Sequence, residues 1–273
     1  IMRFQWGVAG AAWATIIAQA FSFVASIIYL GRKATVFDFN LKNMQFDKSI
    51  MKLSINIGLP SGVQQTMVSV GMLSLQSLVN GFGKDALAAY IAAGRLDSFA
   101  SMPAMNLSAA LSSFTGQNLG ANKPDRVRKG YYASLLIACS LSLLLTLTAL
   151  FFKESLIAIF NTDPQVLFIG GRYLTIVGLF YIPFAAMFVT NGLLRGAGAT
   201  MITMVFTLVS QLLVRVPVAY ALSKRFMSTD GIWWAIPTGW IVGLTLSVYY
   251  YTTGQWKEKV IVKRTNTAET KNP

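Results

Sequence analysis

The sequence predicts an all-α integral membrane protein of about seven transmembrane helices. Three observations carry this prediction. Apolar stretches recur at about 7–30, 53–80, 86–114, 131–152, 165–191, 200–222 and 232–252, and each reaches the roughly 20 residues that cross a bilayer. Only 12% of the 273 residues are charged, against 54% hydrophobic; soluble domains carry about twice that charged fraction to cover their surface. The cations, finally, gather in alternate connectors. One set holds Arg32, Lys33, Lys42, Lys48 and Lys52, then Lys123, Arg126, Arg128 and Lys129, then Arg195, then Lys257, Lys259, Lys263, Arg264 and Lys271. The other holds only Arg3, Lys84, Lys153, Lys224 and Arg225. By the positive-inside rule the C-terminus is cytoplasmic and the N-terminus of this chain is outside.

The first stretch, Gly7 to Leu30, is too long for a signal-peptide core. Arg32 and Lys33 follow it where a small-residue cleavage site would stand, so it reads as a membrane helix. The next five stretches carry Pro60, Pro103, Pro183 and Pro217, and the last carries Pro237. Soluble helices break at such residues, whereas packed membrane helices tolerate them because neighbours satisfy the freed carbonyls. The net charge of +13 is accounted for by the loop cations. A nucleic-acid surface would gather its charge on one face instead. There is no histidine, and the single cysteine, Cys139, lies in an apolar run. Imidazole relays, cysteine metal sites and disulfides are therefore excluded, and no catalytic constellation is present. A retinal protein is excluded as well, because 232–252 holds no lysine for a Schiff base.

A faint internal repeat bears on organisation. With Gly10 placed over Gly231, Trp13 meets Trp234, Ala14 meets Ala235, Ser26 meets Ser247 and Tyr29 meets Tyr250. Both helices run in the same inferred direction and stand six helices apart, as in transporters built from parallel six-helix repeats. Residues 1–30 then read as the last helix of a truncated first lobe and 31–52 as a cytoplasmic connector. Residues 53–252 form a second six-helix lobe, and 253–273 a cytoplasmic tail.

The motifs in that lobe are specific. They are Gly58-Leu59-Pro60, the run Ala92-Ala93-Gly94-Arg95-Leu96-Asp97-Ser98-Phe99-Ala100, Gly116-Gln117-Asn118-Leu119-Gly120-Ala121 with the basic turn after it, and Gly192-Leu193-Leu194-Arg195-Gly196-Ala197-Gly198. Over roughly residues 5–255 the chain resembles the second half of a bacterial multidrug and toxic compound extrusion (MATE) transporter. The resemblance implies a twelve-helix, two-lobe antiporter of the bacterial cytoplasmic membrane. Such a protein exports small cationic amphiphiles in exchange for H⁺ or Na⁺, needs no cofactor, alternates between V-shaped states and pairs this half with a missing N-terminal lobe. A related design, the flippase for lipid-linked saccharides, is the alternative, and a non-transporting membrane subunit is a third reading. Some family members place an acid in the helix after Gly-Leu-Pro. Here Ser61 to Asn80 holds none, and Val68 falls near that position, which leaves the coupling ion open.

Asp97 is the foremost candidate site residue. It lies about 16 Å into its helix at 1.5 Å per residue, near the bilayer midplane. A carboxylate there costs about 2.5–3.5 kcal/mol and must meet a partner or a wet cavity. Gly94, Asp97, Ser101, Ala104 and Ser108 recur at three- and four-residue spacing as one small, polar stripe. Asp97 reads as a proton or Na⁺ site or the counter-charge of a cationic substrate, or else as a structural ion pair. Arg215 is its buried partner or part of a network within the lobe, and Arg95 carries the same two readings. Asn56, Gln64 and Gln65 line a cavity or bond neighbouring helices. Tyr181 and Asn191, with Tyr173 beside them, offer stacking and cation–π attraction to a ligand or plain packing. An antibody to the tail from Lys257 to Pro273 should detect a band of about 50 kDa in native membranes, as a twelve-helix parent requires. A band at 29.8 kDa would mean that this half exists alone.

Overall fold

The computed structural model describes residues 7–33 and 46–257. The expected connector 31–52 and tail 253–273 fall largely outside these residues, as do Arg3, Lys42 and the cations after Lys257. The chain divides into two units, Ile1–Leu53 and Ser54–Pro273. The first holds helix α1 (Gly7–Lys33), whose Trp13, Ile17, Phe21 and Phe23 are exposed. Exposed apolar side chains on a helix of this length suit lipid rather than water.

The second unit takes up most of α2 (Lys48–Asn80) and continues through α3 (Lys84–Gly120), α4 (Pro124–Phe151) and the short α5 (Lys153–Ala158). Then come α6 (Pro164–Gly178), α7 (Tyr181–Gly196), α8 (Thr200–Thr207), a π-helical segment (Leu208–Val214), α9 (Arg215–Phe226) and α10 (Thr229–Thr252). The six apolar stretches expected between residues 53 and 252 are helical, with corrections. The stretch 165–191 is two helices, α6 and α7, set at 52°. Pro183 explains the break: it has no N–H for the carbonyl of Leu179, and its ring crowds that carbonyl. Thr146 Oγ1 on α4 donates to the carbonyl of Gly178 at 2.8 Å and satisfies the end of α6. The stretch 200–222 is interrupted by the π segment, which lies just ahead of Pro217, where the ladder again lacks a donor. Pro124 opens α4 at its first turn, where a missing N–H costs nothing, so this helix begins before residue 131.

By length and composition, Ala12–Tyr29, Pro124–Phe151, Thr200–Phe226 and Thr229–Thr252 suffice to cross a membrane, and the bent pair α6–α7, counted as one span, is a fifth. Helices α2 and α3 are longer, at 33 and 37 residues, yet too polar to qualify on composition. Part of that polarity, Gln64, Gln65 and Gln76 on α2 and Asp97 and Ser101 on α3, lines the cavity described below.

Two apolar clusters hold the lobe together. One gathers Leu75, Ala89, Ile157, Leu174, Val177, Ile232 and Trp233 at the end where α3 begins. The other gathers Leu111, Leu119, Val127, Leu193, Leu194 and Trp256 at the end where α3 finishes. Within the second cluster α3 and α7 pack backbone to backbone at Gly192. A Cβ there would collide with the carbonyl oxygen of Ser108 and stand 2.9 Å from its Cα, so only glycine permits this approach. Gly192→Val should therefore destabilise the lobe by about 1–3 kcal/mol or more through overpacking. Gly94→Ala on α3, whose added Cβ meets nothing within 4 Å, should melt no lower than the parent, because alanine favours a helix interior over glycine by about 0.5–1 kcal/mol. Thermal melting of the protein in detergent compares the two.

Candidate functional site

Helices α2, α3 and α6 to α10, with the π segment, line a cavity of about 520 Å³. Its lining is built by helical spacing. Gln65, Val68, Met72 and Gln76 descend one face of α2, and Gly94, Asp97, Ser101 and Met105 descend one face of α3. These runs at three and four residues point the same way on a helix.

The most ordered part of the cavity surrounds Asp97. Tyr173 Oη donates to Oδ2 at 2.5 Å, and Tyr181 Oη donates to Oδ1 at 2.5 Å. Each carboxylate oxygen thus has its own donor, and the two donors come from either side of the α6–α7 break. On a straight helix residues 173 and 181 would stand about 12 Å apart along the axis. The bend lets both hydroxyls reach one carboxylate. Tyr173 is held by Trp233, edge to face at 4.9 Å between centroids. Trp233 in turn stacks on Tyr90 at 5.7 Å.

The rest of the lining is tied down by polar contacts. Gln64 Nε2 donates to Thr207 Oγ1 at 2.6 Å, and Ser247 Oγ donates to Asn191 Oδ1 at 2.8 Å. Arg195 Nη2 donates to Ser108 Oγ at 2.9 Å. Arg215 Nη1 donates to Gln211 Oε1 at 2.9 Å. Phe184 and Trp240 form an aromatic wall, 4.8 Å between centroids.

The fold therefore brings Asp97, Ser101, Gln64, Gln65, Tyr181, Asn191 and Arg215 to one cavity. Arg95 and Asn56 do not join them. Arg95 is exposed, because two residues along an α-helix is a turn of about 200° away from Asp97. Asn56 is also exposed, two turns short of Gln64. Only its backbone carbonyl is engaged, accepting from Thr200 Oγ1 at 3.5 Å. An ion pair between Asp97 and Arg215 is absent as well; the ion pair found among the described residues joins Arg172 to Asp230. Asp97 is met by hydroxyls instead.

Sequence reasoning missed Arg195 and Tyr90 as lining residues. Arg195 reads as a loop cation because it adjoins a glycine-rich turn, yet it sits one turn after Asn191 on the same face of α7. That i, i+4 relation was the available signal. No group of three His, Cys, Asp or Glu side chains converges among the described residues. An Na⁺ ion at Asp97 would thus be held by this one carboxylate and neutral oxygens. Replacing Tyr173 or Tyr181 by Phe should destabilise the lobe by about 1–3 kcal/mol each, the range for stranding a buried acceptor. The loss should shrink in an Asp97→Leu background. A double-mutant cycle on thermal melts measures that coupling.

The geometry can now be set beside known proteins. Residues 60–221 match the MatE family. The chain is 31% identical over 258 residues to the probable multidrug resistance protein YpnP of Bacillus subtilis, covering 94% of this chain and 57% of that protein. It is 28% identical over 270 residues to the probable multidrug resistance protein NorM of Thermotoga maritima, covering 97% of this chain and 57% of that protein. The chain thus spans little more than half the length of these relatives. A crystal structure of MATE in complex with MaL6 superposes with a TM-score of 0.86 at 21% identity, over 95% of this chain and 59% of that one. That likeness shows the same all-helical fold. Because the family match runs across more than half of the chain, including the helices that carry Asp97, Tyr173, Tyr181 and Arg215, this chain belongs to the MATE family, whose members are membrane transporters and not enzymes.

Proposed function

We propose that this chain is the second six-helix lobe, with one preceding helix, of a two-lobe secondary transporter. In this reading the protein exports cationic amphiphilic compounds from the bacterial cytoplasm by antiport with H⁺ or Na⁺. The observation that carries the reading is Asp97: a carboxylate deep in a membrane helix, bonded by two tyrosine hydroxyls, at the wall of a cavity with aromatic and amide lining. An intramembrane acid of this kind marks an ion or substrate path. The cavity's size falls within the range of small-molecule sites. Phe184, Trp240 and Tyr90 supply flat faces for an organic cation, and Met72, Met105 and Met187 supply a lining that adapts to different shapes.

Asp97 has two roles on this reading. With its tyrosine donors in place it is an anion that attracts a cationic ligand or the coupling ion. Loading the ion discharges it and weakens its hold on the ligand, so that one site alternates between the two. The relatives' names, as multidrug resistance proteins, fit the same reading. The C-terminus is cytoplasmic in this scheme, as the loop cations imply.

In the full-length protein Asp97→Asn should insert normally and export ethidium poorly, by at least about tenfold if a charge-assisted contact worth some 1.5–3 kcal/mol is lost. Wild-type efflux at matched expression would remove Asp97 from the mechanism. Collapsing both the Na⁺ and the H⁺ gradient should abolish export, whereas export that continues on ATP alone would overturn the antiport reading.

A further inference from the structure

Of the long helices in the second unit, α4 alone lends no residue to the cavity. Its inner face packs on the lobe, with Val127, Tyr131, Ala138 and Thr146 buried. Gly130 holds its first turns close to α3, since a Cβ there would stand 2.5 Å from a ring carbon of Phe114. The opposite face is open. Arg128 and Lys129 are exposed, Tyr132 is 51% and Leu136 71% exposed, and Leu143 and Leu147 continue the same face. Arg128, Tyr132, Leu136, Leu143 and Leu147 recur at helical spacing, so they form one stripe that is charged at its head and apolar below.

The head of the stripe belongs to a wider basic corner. The tight turn after Gly116-Gln117-Asn118-Leu119-Gly120-Ala121 places Asn122 at φ 54° and bonds the Lys123 N–H to the carbonyl of Asn118 at 2.8 Å. It thereby sets Lys123, Arg126, Arg128 and Lys129 together at the start of α4. A chain of rings brings in a fifth cation. Tyr132 meets Tyr131 at 5.5 Å between centroids, Tyr131 meets Tyr251 at 4.6 Å, and Tyr251 stacks on Trp256 at 5.6 Å. Lys257 Nζ then lies 5.8 Å from the centre of the Trp256 ring. Residues 121–132 hold one acid, Asp125. Among the described residues none of the five cations forms an ion pair; the pair found joins Arg172 to Asp230. A cluster of cations at the end of a membrane helix attracts anionic lipid head groups, and an arginine fork matches a phosphate.

We infer that the outer face of α4 binds an anionic phospholipid of the surrounding leaflet. Its phosphate docks on Arg128 and Lys129, its glycerol esters lie level with Tyr132, and an acyl chain runs along Leu136, Leu143 and Leu147. The lengths agree: Tyr132 to Leu143 spans about 16 Å at 1.5 Å per residue, and half of a hydrocarbon core of about 30 Å is about 15 Å. Tyrosine is also a residue that membrane helices place at head-group level. A zwitterionic lipid carries its own cation into the basic corner and is held less well. The site is separate from the cavity, so it does not depend on what the transporter carries or which ion drives it.

The test is native mass spectrometry of the full-length protein in detergent, titrated with dioleoylphosphatidylglycerol or with dioleoylphosphatidylcholine. The two lipids share their chains and differ in head-group charge. The first phosphatidylglycerol should bind about tenfold more tightly, a difference of about 1.4 kcal/mol. Arg128→Gln combined with Lys129→Gln should erase that preference and leave the melting temperature unchanged, because both side chains are exposed. Arg128→Lys combined with Lys129→Arg keeps the charge and should keep the preference. Lys84→Gln combined with Arg225→Gln, which removes two exposed cations from other connectors, should keep it too. Equal binding of the two lipids to the unaltered protein overturns the inference. A preference that survives the paired glutamines overturns it by placing the site elsewhere. Its loss in the charge-preserving pair, or an equal loss in the Lys84 and Arg225 pair, overturns it by removing the local charge as the cause. Displacement of phosphatidylglycerol by inorganic phosphate assigns the cluster to soluble anions and overturns the lipid form.

Discussion

The convergence of Tyr173 and Tyr181 on Asp97 is the contact on which the rest of the lobe depends. A carboxylate cannot sit deep in a membrane helix without donors, and the neighbouring hydroxyls of α3, Ser98 and Ser101, donate to backbone carbonyls instead. The donors come from a second column, eight residues apart in sequence, and a straight helix cannot aim both of them at one point. The break between α6 and α7 resolves this. It exists because Pro183 cannot donate, and it is stable because Thr146 takes up the carbonyl of Gly178. Trp233 then fixes Tyr173 from α10, so that four helices hold one carboxylate in place. Polar networks of this kind carry high stakes in a low-dielectric interior: complete, they rigidify the structure, and partly filled, they destabilise it.

A division of labour among the helices follows. Helix α4 presents Leu136, Leu144 and Phe151 outward and reads as a lipid-facing span, whereas α8–α9 exposes Met201 and Val205 on one face and lends Thr207 and Arg215 to the cavity on the other. Helices α2 and α3 give up hydropathy to line the cavity, and their length alone carries them through the lobe. This exchange needs close backbone contact elsewhere, which Gly192 provides against Ser108. In lipid there is no hydrophobic force between helices, so small residues and interhelical hydrogen bonds must hold them. The bonds from Gln64 to Thr207, from Ser247 to Asn191 and from Arg195 to Ser108 do so while also forming the wall of the cavity.

Much of this was legible beforehand, and the failures have plain causes. Asp97, Ser101, Gln64 and Gln65 could be grouped because polar residues in membrane helices must face something other than lipid. Arg95 could not be separated from them by composition; its angle around α3 decides, and the angle places it outside. Asn56 failed for the same kind of reason, as its position along α2 falls short of the cavity. Arg195 was hidden by its neighbours, since a cation beside a glycine-rich turn reads as topology. The pairing of Asp97 with Arg215 was a reasonable guess from charge, but two tyrosine hydroxyls reach the carboxylate and Arg215 does not.

The sequence by itself determined the fold class, the succession of spans and the family. Hydropathy, charge alternation and short motifs are local properties that are read directly along the chain. It also singled out Asp97, because the cost of burying a charge in a membrane holds whatever the fold. Only the tertiary structure decided which donors Asp97 meets, that the stretch 165–191 bends, and that Arg215 lies deep in the wall bonded to Gln211. Those outcomes depend on angles between helices far apart in sequence, set by packing contacts that no single segment encodes.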